Sequence, residues 1–170
     1  MITELSVAEI VSNYAMLPHP EGGYYKETYR STELIERKAL HERFTGDRNF
    51  ATAIYFLLEH GDYSAFHRIQ SDETWHFYAG QCLEIFVLQE NQDLQIIRLG
   101  NNILAGESFQ ATVPAGAWFA SRPAIESSFS LVGCTVSPGF DFQDFELAKA
   151  QNLTIAYPKY HLLINELCCL

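Results

Sequence analysis

The sequence predicts an all-β fold, a sandwich or jelly-roll barrel of short strands with short helices at the two ends of the chain. Two observations support this prediction. Apolar and aromatic runs recur from residue 50 to residue 137, and each has the length of a strand rather than of a helix. Polar or glycine-containing segments with the composition of turns separate these runs.

Composition limits the classes of function. The 170 residues suit a single domain over 1–170, and 48% hydrophobic residues with 14% aromatics exclude a disordered chain. The 11 Lys+Arg against 21 Asp+Glu give a net charge of -10, which offers no electrostatic surface for nucleic acid or an anionic membrane. The expected partner is a small-molecule ligand. Free thiols, rather than a zinc or redox motif, are predicted for the cysteines, which lack C-x-x-C spacing: Cys82, Cys134, Cys168 and Cys169.

Helices are predicted at both ends of the chain. Ser6 and Glu9 form a capping box that predicts a helix over about 7–15, which Pro18 ends. The tail is predicted to form helices over about 145–167 that pack outside the barrel. Segment 1–5 has neither the basic nor the apolar region of a signal peptide, and no apolar run approaches the ~20 residues that span a bilayer, so a cytoplasmic protein is predicted.

The barrel itself is predicted over about 22–142. Residues 33–49 are charged and form a long connection, while the polar segment 89–93 between two apolar runs indicates a β-hairpin. In the first strand, alternation puts Tyr24, Lys26 and Arg30 on one face. The strands are predicted at 24–30, 51–58, 66–69, 73–78, 83–88, 94–99, 109–113, 118–121 and 129–136.

A strand–turn–strand unit over 61–80, G-D-Y-S-A-F-H-R-I-Q-S-D-E-T-W-H-F-Y-A-G, carries the most informative residues. His67 and Ile69 share one face of its first strand, and Glu73, Trp75 and Phe77 share one face of the return strand. With the hairpin in register, His67 and Glu73 project into one cavity.

The spacing of this unit resembles the first motif of the cupin superfamily: Gly, five residues, His-x-His, three residues, Glu, six residues, Gly. Gly61, His67, Glu73 and Gly80 match that motif. Ile69 stands where the family has its second histidine. The resemblance implies the cupin double-stranded β-helix, a jelly-roll barrel.

The second cupin motif has a weaker counterpart downstream. Gly106, Pro114 and Gly116 follow its order, and Phe119 occupies the position of its histidine. Segment 23–30 and the Pro-Gly-Phe-Asp-Phe segment at 138–142 resemble the small cupin-5 branch, whose function is unknown. The resemblance also implies a homodimer, which would cover strands otherwise left as exposed edges.

No resident metal or other cofactor is predicted. A cupin metal site normally needs three histidines and one carboxylate, and only His67 and Glu73 stand at matching places. Ile69 and Phe119 therefore disfavour a metal-dependent oxygenase. His76 lies at odd spacing from Glu73, on the outer face of a regular strand.

His67 and Glu73 are the predicted catalytic residues, as an acid–base pair in which each tunes the pKa of the other. Tyr24 is a candidate phenolic acid, and Lys26 and Arg30 could meet a phosphate or carboxylate. The structural alternatives are a salt bridge for Glu73, a hydrogen-bonded core histidine for His67, and solvated edge charges for Lys26 and Arg30.

Large aromatic residues could form a ligand-binding wall: Trp75, Phe77, Trp118 and Phe119. Simple filling of the core explains them equally well. Two function classes remain open. One is an enzyme resembling the metal-independent sugar-nucleotide epimerases of the cupin superfamily, with His67 as base and Glu73 orienting it. The other is a non-catalytic cupin that binds a small ligand in the barrel.

Overall fold

The structure, a computed structural model, describes residues 6–91, 93–125 and 127–169. Most of its regular structure is β. Within those ranges the strands are β1 (Leu17–Pro18), β2 (Tyr24–Arg30), β3 (Leu34–Ile35), β4 (Arg48–Asn49), β5 (Thr52–Glu59), β6 (Ser64–Arg68), β7 (Asp72–Gly80), β8 (Leu83–Leu88), β9 (Leu94–Leu99), β10 (Gln110–Val113), β11 (Trp118–Pro123), β12 (Phe129–Ser137) and β13 (Glu146–Leu147).

Two antiparallel sheets face each other. The larger sheet has the spatial order β1-β2-β5-β12-β7-β10, and the smaller sheet has the order β13-β6-β11-β8-β9. Strands β6 and β7, which are consecutive in the chain, lie in different sheets, as do β12 and β13. This exchange between sheets is the arrangement of a jelly roll. The predicted all-β class is confirmed.

The core lies between the sheets, where alternate side chains of both meet. Phe56 and Trp75 of the larger sheet pack against Ile85 and Phe119 of the smaller one. All four side chains are buried. The candidate site lies beside this core, where polar side chains take the place of apolar ones.

Short helices cover the outer faces. The helix α1 (Val7–Tyr14) begins with the predicted capping box, in which Ser6 Oγ accepts from the Glu9 N–H and Glu9 Oε2 accepts from the Ser6 N–H. Its Ile10 packs against Leu57 on the larger sheet. The helices α2 (Ala150–Ala156) and α3 (His161–Glu166) cover the smaller sheet. Among the described residues, no helix has the length and hydropathy needed to cross a membrane.

The segment before α2 differs from the prediction. Residues 146–147, expected to be helical, form β13 and pair with β6, with Glu146 opposite Arg68. Strand pairing is favoured there because β6 would otherwise expose an unpaired edge. Arg68 Nη2 also lies 2.7 Å from Glu146 Oε2, which helps to fix the register.

Strand β2 is not regular. Its pairing with β5 shifts between Glu27 and Tyr29, so Thr28 is an extra residue in the ladder. After this bulge the two faces of the strand exchange. Arg30 therefore shares a face with Glu27, whereas strict alternation assigns it to the opposite face.

Candidate functional site

A cavity of about 280 Å³ opens at one end of the barrel. Its interior carries two carboxyl groups and two imidazoles, those of Glu21, Glu73, His19 and His67. An aromatic wall adjoins them, formed by Tyr25, Phe140, Phe142 and Phe145. Glu27 and Arg30 lie at its solvent-exposed mouth. Apolar walls with a few convergent polar groups are typical of small-molecule sites.

His67 is fixed at both of its ring nitrogens. Nδ1 lies 2.7 Å from the carbonyl oxygen of Ala65, and Nε2 lies 3.1 Å from Glu21 Oε2. The ring packs against Phe119, with centroids 4.1 Å apart, and is almost fully buried. These three contacts fix the orientation of the imidazole.

These contacts determine where the protons are. A carbonyl oxygen can only accept, so His67 Nδ1 carries a hydrogen and, in a neutral ring, Nε2 does not. The contact between His67 Nε2 and Glu21 Oε2 therefore requires one shared proton. Burial raises the pKa of Glu21 to about 7, and burial lowers the pKa of His67. Both shifts place the shared proton on Glu21, which donates it to a neutral His67.

Glu21 reaches His67 from the tip of the β1–β2 hairpin. Gly22 has a φ of 117°, and a Cβ there would overlap the carbonyl oxygen of Tyr63, so only glycine fits. The backbone carbonyl of Glu21 accepts from the Ala65 N–H of β6 at 2.9 Å. The tip is thereby attached to the smaller sheet, and the Glu21 side chain is directed into the cavity.

His19 completes the turn. Its Nδ1 accepts from the Glu21 backbone N–H at 3.3 Å and lies 3.6 Å from Glu21 Oε1. Since a backbone N–H can only donate, Nδ1 carries no hydrogen and the neutral ring is protonated at Nε2. Burial lowers the pKa of His19, although the Glu21 carboxyl opposes that shift. His19 is therefore a neutral donor in the cavity wall.

Glu73 differs from Glu21 because the described residues leave its carboxyl group free. It is 8% exposed and lines the cavity. Burial raises its pKa to about 7; His67 opposes this shift and Glu21 adds to it. The Cys134 thiol and the Trp75 indole N–H lie beside Glu73 and lower its pKa, although the indole N–H has no well-formed hydrogen bond. The carboxyl is open to a ligand.

The structure brings His67 and Glu73 into one cavity, yet the expected direct pairing between them is wrong. The carboxyl that contacts His67 is Glu21, while Glu73 acts on the imidazole only through its charge. Sequence reasoning gave no role to His19 or Glu21. The available signal was the His-Pro-Glu-Gly-Gly turn at 19–23, which places a carboxylate just before two glycines.

Two predicted residues lie outside the cavity. Tyr24 packs with Ile10 and Leu57 under α1, and Lys26 is exposed to solvent. Their assignment to the cavity is corrected, because the other face of β2, with Tyr25 and Glu27, is the one that lines it.

Arg30 does line the cavity, because the bulge after Glu27 turns it inward. Its Nη2 lies 2.7 Å from Glu27 Oε2, and its Nη1 donates to Asn49 Oδ1 and to the carbonyl of Phe140. Arg30 thus connects β2 to the aromatic segment above the cavity.

The four aromatic residues predicted to form the ligand wall pack elsewhere. Trp75, Phe77 and Phe119 fill the core between the sheets. Trp118 joins the cluster under α2 and α3, where the Arg68 guanidinium lies 4.5 Å from its ring centroid. Simple core filling explains these positions. The observed aromatic wall comes mainly from the segment that contains the Pro-Gly-Phe-Asp-Phe motif.

The residues of the cavity do not fit a cupin metal centre. The places of two imidazole ligands hold Ile69 and Phe119, and His67 Nε2 is engaged with Glu21. Over 6–91, 93–125 and 127–169, no group of three or more His, Cys, Asp or Glu residues is arranged to hold a metal ion. His76 is on the outer face, as its spacing predicts, where its Nε2 lies 3.2 Å from Thr135 Oγ1.

All four cysteines are free thiols, as predicted. Cys134 lines the cavity, and burial raises its pKa well above the ordinary value. It is therefore protonated at neutral pH and is not an activated nucleophile.

Comparison with known proteins identifies close structural relatives without an assigned activity. A hypothetical protein from Leishmania major has a TM-score of 0.87 and 34% identity, covering 96% of this chain and 99% of that chain. A protein of known structure from Shewanella oneidensis has a TM-score of 0.87 and 36% identity, covering 97% of this chain and 98% of that chain. An uncharacterized protein from Saccharomyces cerevisiae is 28% identical over 156 residues, which are 86% of this chain and 77% of that protein.

The fold has a more distant relative in oxalate decarboxylase from Bacillus subtilis, with a TM-score of 0.54 and 13% identity over 92% of this chain and 37% of that one. At this identity the similarity shows the cupin fold alone. A sequence model of the cupin superfamily family DUF985, also called Cupin_5, matches residues 8–148. Because that match spans most of the chain, this protein belongs to the Cupin_5 (DUF985) family of the cupin superfamily.

Proposed function

We propose that this protein is a metal-independent acid–base enzyme of the isomerase or epimerase class, acting on a sugar or sugar-nucleotide-like ligand in the cavity. One observation carries the proposal. Glu73 presents a free carboxyl group to the cavity, with a pKa raised to about 7, beside the Glu21–His67 pair that shares one proton. A general base and a general acid with pKa values near neutrality are therefore available together.

The chemistry begins with ionised Glu73. Its carboxylate takes a proton from the carbon next to a carbonyl group, and the electron pair of the broken C–H bond moves toward the carbonyl oxygen. The Glu21 O–H turns from His67 Nε2 to that oxygen and gives it the proton, which leaves Glu21 ionised. Protonated Glu73 then returns its proton to the former carbonyl carbon while the neighbouring hydroxyl gives its proton back to Glu21, which yields an isomer. Return of the proton to the original carbon on its opposite face, after the ligand turns over, yields an epimer.

His67 has a different role in this scheme from the one that the sequence suggests. Both of its nitrogens are engaged by Ala65 and Glu21, so its lone pair does not face the ligand. His67 is a positioning residue that holds the acidic proton of Glu21. Glu73 takes the role of base, and Glu21 takes the role of acid that was assigned to Tyr24.

Exchange of carbon-bound hydrogen tests the proposal directly. Wild-type protein is incubated in D₂O with a panel of sugars and sugar nucleotides, and loss of C–H signals is followed by proton NMR. We expect exchange in at least one compound, and a rate at least about tenfold lower for Glu73→Gln, equivalent to roughly 1.4 kcal/mol. Glu33→Gln, at an exposed position away from the cavity, is the matched control and should exchange at the wild-type rate.

A non-catalytic binding protein would behave differently. If a sugar raises the melting temperature of the wild-type protein but none exchanges hydrogen, the cavity binds without catalysing proton transfer and the enzymatic proposal is wrong. Equal exchange by wild type and Glu73→Gln would also contradict it, because the base would then lie elsewhere.

A further inference from the structure

The charges that line the cavity determine whether it can bind an anionic ligand. Arg30 carries the positive charge that such a ligand would need. It is the sole Lys or Arg among the described residues that line the cavity. Glu27 binds it through two oxygens, at 3.1 Å from Nε and 2.7 Å from Nη2. Asn49 and the Phe140 carbonyl occupy Nη1, so most of the guanidinium N–H groups already have acceptors. The pair is neutral and holds no cation ready for an anionic ligand.

The interior has no excess positive charge either. Glu21 and His67 share one proton and are together neutral, and burial keeps His19 in its neutral form. Glu73 is either neutral or negative. A carboxylate or phosphate placed among these groups would lose its hydration beside carboxyl groups, without a counter-charge, at a cost of several kcal/mol.

The volume of the cavity sets the size of its ligand. About 280 Å³ lies just below the range of roughly 300–1,000 Å³ that is typical of small-molecule pockets. A compact molecule of about monosaccharide size suits it, while a nucleotide does not fit inside. A sugar nucleotide could place only its sugar within the barrel.

The lining of the cavity favours a particular surface chemistry. The free Glu73 carboxyl accepts hydrogen bonds from hydroxyl groups, and His19 Nε2–H can donate one. The rings of Phe140, Phe142 and Phe145 meet edge to face, with centroids 5.0 to 6.2 Å apart, and Phe145 also adjoins the rings of His19 and His67. A ligand that carries both hydroxyls and C–H groups matches this mixed lining.

We infer that the ligand held in the cavity is an uncharged polyhydroxy carbonyl compound of about monosaccharide size, and that sugar acids and sugar phosphates are rejected because Glu27 neutralises Arg30. This inference rests on the proposed function and specifies its substrate class. It also reverses the expectation that Arg30 binds a phosphate or carboxylate.

Paired probes test the charge rule. Glucose is compared with glucuronate, glucose 6-phosphate and UDP-glucose, galactose with galacturonate, xylose with xylonate, and fructose with fructose 6-phosphate. Binding is measured by saturation-transfer NMR and melting temperature, up to about 10 mM. At least one neutral sugar should bind, and its anionic counterpart should bind at least about tenfold more weakly. An anionic sugar that binds more tightly than its neutral partner would overturn the inference, as would a panel in which nothing binds.

Glu27→Gln makes the test specific to the mouth of the cavity. Losing that carboxylate frees the Arg30 charge, so the preference for neutral over anionic sugar should fall at least about tenfold. Glu33→Gln serves as control and should leave the ratio unchanged. An unchanged ratio in Glu27→Gln would show that Arg30 does not set selectivity.

The two proposals fail separately. Hydrogen exchange in an anionic sugar would refute the neutral-ligand inference and leave the acid–base proposal standing. Tight binding of a neutral sugar without hydrogen exchange would refute the acid–base proposal and leave the neutral-ligand inference standing.

Discussion

Glu21 Oε2 lies 3.1 Å from His67 Nε2, with the proton of the contact on the carboxyl group. The two residues come from distant parts of the chain, the tip of the β1–β2 hairpin and strand β6. Substituting Glu21 by Gln or by Ala distinguishes the contribution of the hydrogen bond from that of the acidic proton.

Glu21→Gln should keep the fold but lose the proposed proton transfer to the ligand. The Gln amide N–H can donate to His67 Nε2 as protonated Glu21 does. Below pH 4.5, the ordinary pKa of the Glu21 carboxyl, that group is mostly protonated in both the folded and the unfolded state, so there the free energy of unfolding should stay within about 1 kcal/mol of wild type. Glu21→Ala leaves His67 Nε2 buried without a donor, and a loss of about 1–3 kcal/mol is expected. Urea unfolding measures both. Equal stability of the Ala and Gln variants would show that the contact contributes nothing to folding.

Glu73→Gln should change stability in a pH-dependent way. Because the folded-state pKa of Glu73 is raised from 4.5 to about 7, the folded state binds more protons than the unfolded state in that window. Wild type therefore loses stability as pH rises through it, and Glu73→Gln lacks this contribution while it keeps the one from Glu21. Relative to wild type, the variant should gain on the order of 3 kcal/mol between about pH 4.5 and about pH 8. A difference in unfolding free energy that stays constant with pH would contradict the assigned burial.

Asp144→Asn should be strongly destabilising. Arg48 Nε and Nη2 each lie 2.6 Å from an Asp144 oxygen, and both side chains are almost fully buried. Removing one charge leaves the other buried without a partner, at a cost of about 3–5 kcal/mol. The exposed pair at the cavity mouth gives the contrast, since Glu27→Gln should cost only about 0–1 kcal/mol. Similar losses of unfolding free energy in Asp144→Asn and Glu27→Gln would show that burial does not distinguish the two ion pairs.

Gly22→Ala should remove the site by displacing the hairpin tip. The new Cβ would overlap the Tyr63 carbonyl and would also strain a backbone at φ 117°. Gly61→Ala is a matched control, because Gly61 has a φ of 88° but open space around its Cβ. In both variants the positive φ should lower the free energy of unfolding by about 1 kcal/mol. Only Gly22→Ala should lose more stability than this, and only Gly22→Ala should stop catalysing hydrogen exchange in the sugar assay.

The homodimer stays a prediction. Strands β10 and β13 lie at sheet edges, where backbone N–H and C=O groups favour pairing or cover. Sedimentation equilibrium at micromolar concentration should give twice the chain mass. A monomer under these conditions would count against it.

Strand positions could be predicted where local pattern alone decides them. The bounds of β8 and β9 match their apolar runs residue for residue, since polar turns flank both runs. Alternation also places His67 and Glu73 toward the cavity. It fails in β2, because nothing in the local sequence marks the extra residue at Thr28.

The remaining parts of the site depend on contacts between distant segments. Glu21 lies in a loop, where no periodicity assigns a face, and its role appears only when the hairpin tip meets Ala65. Phe145 was expected in a helix, whereas the pairing of β13 with β6 holds it at the cavity. Tertiary structure decides these positions, and propensity does not.

In the Glu21–His67 contact a proton lies between an imidazole and a carboxylate. In metalloproteins a metal ion occupies the corresponding position between the same two kinds of ligand. A divalent cation can enter there only by displacing that proton, because both groups bind metals in their deprotonated forms. Apparent cation affinity at this contact should therefore rise with alkalinity, by up to about tenfold per pH unit for one displaced proton. Dependence of cation binding on pH is therefore the expected property of this contact.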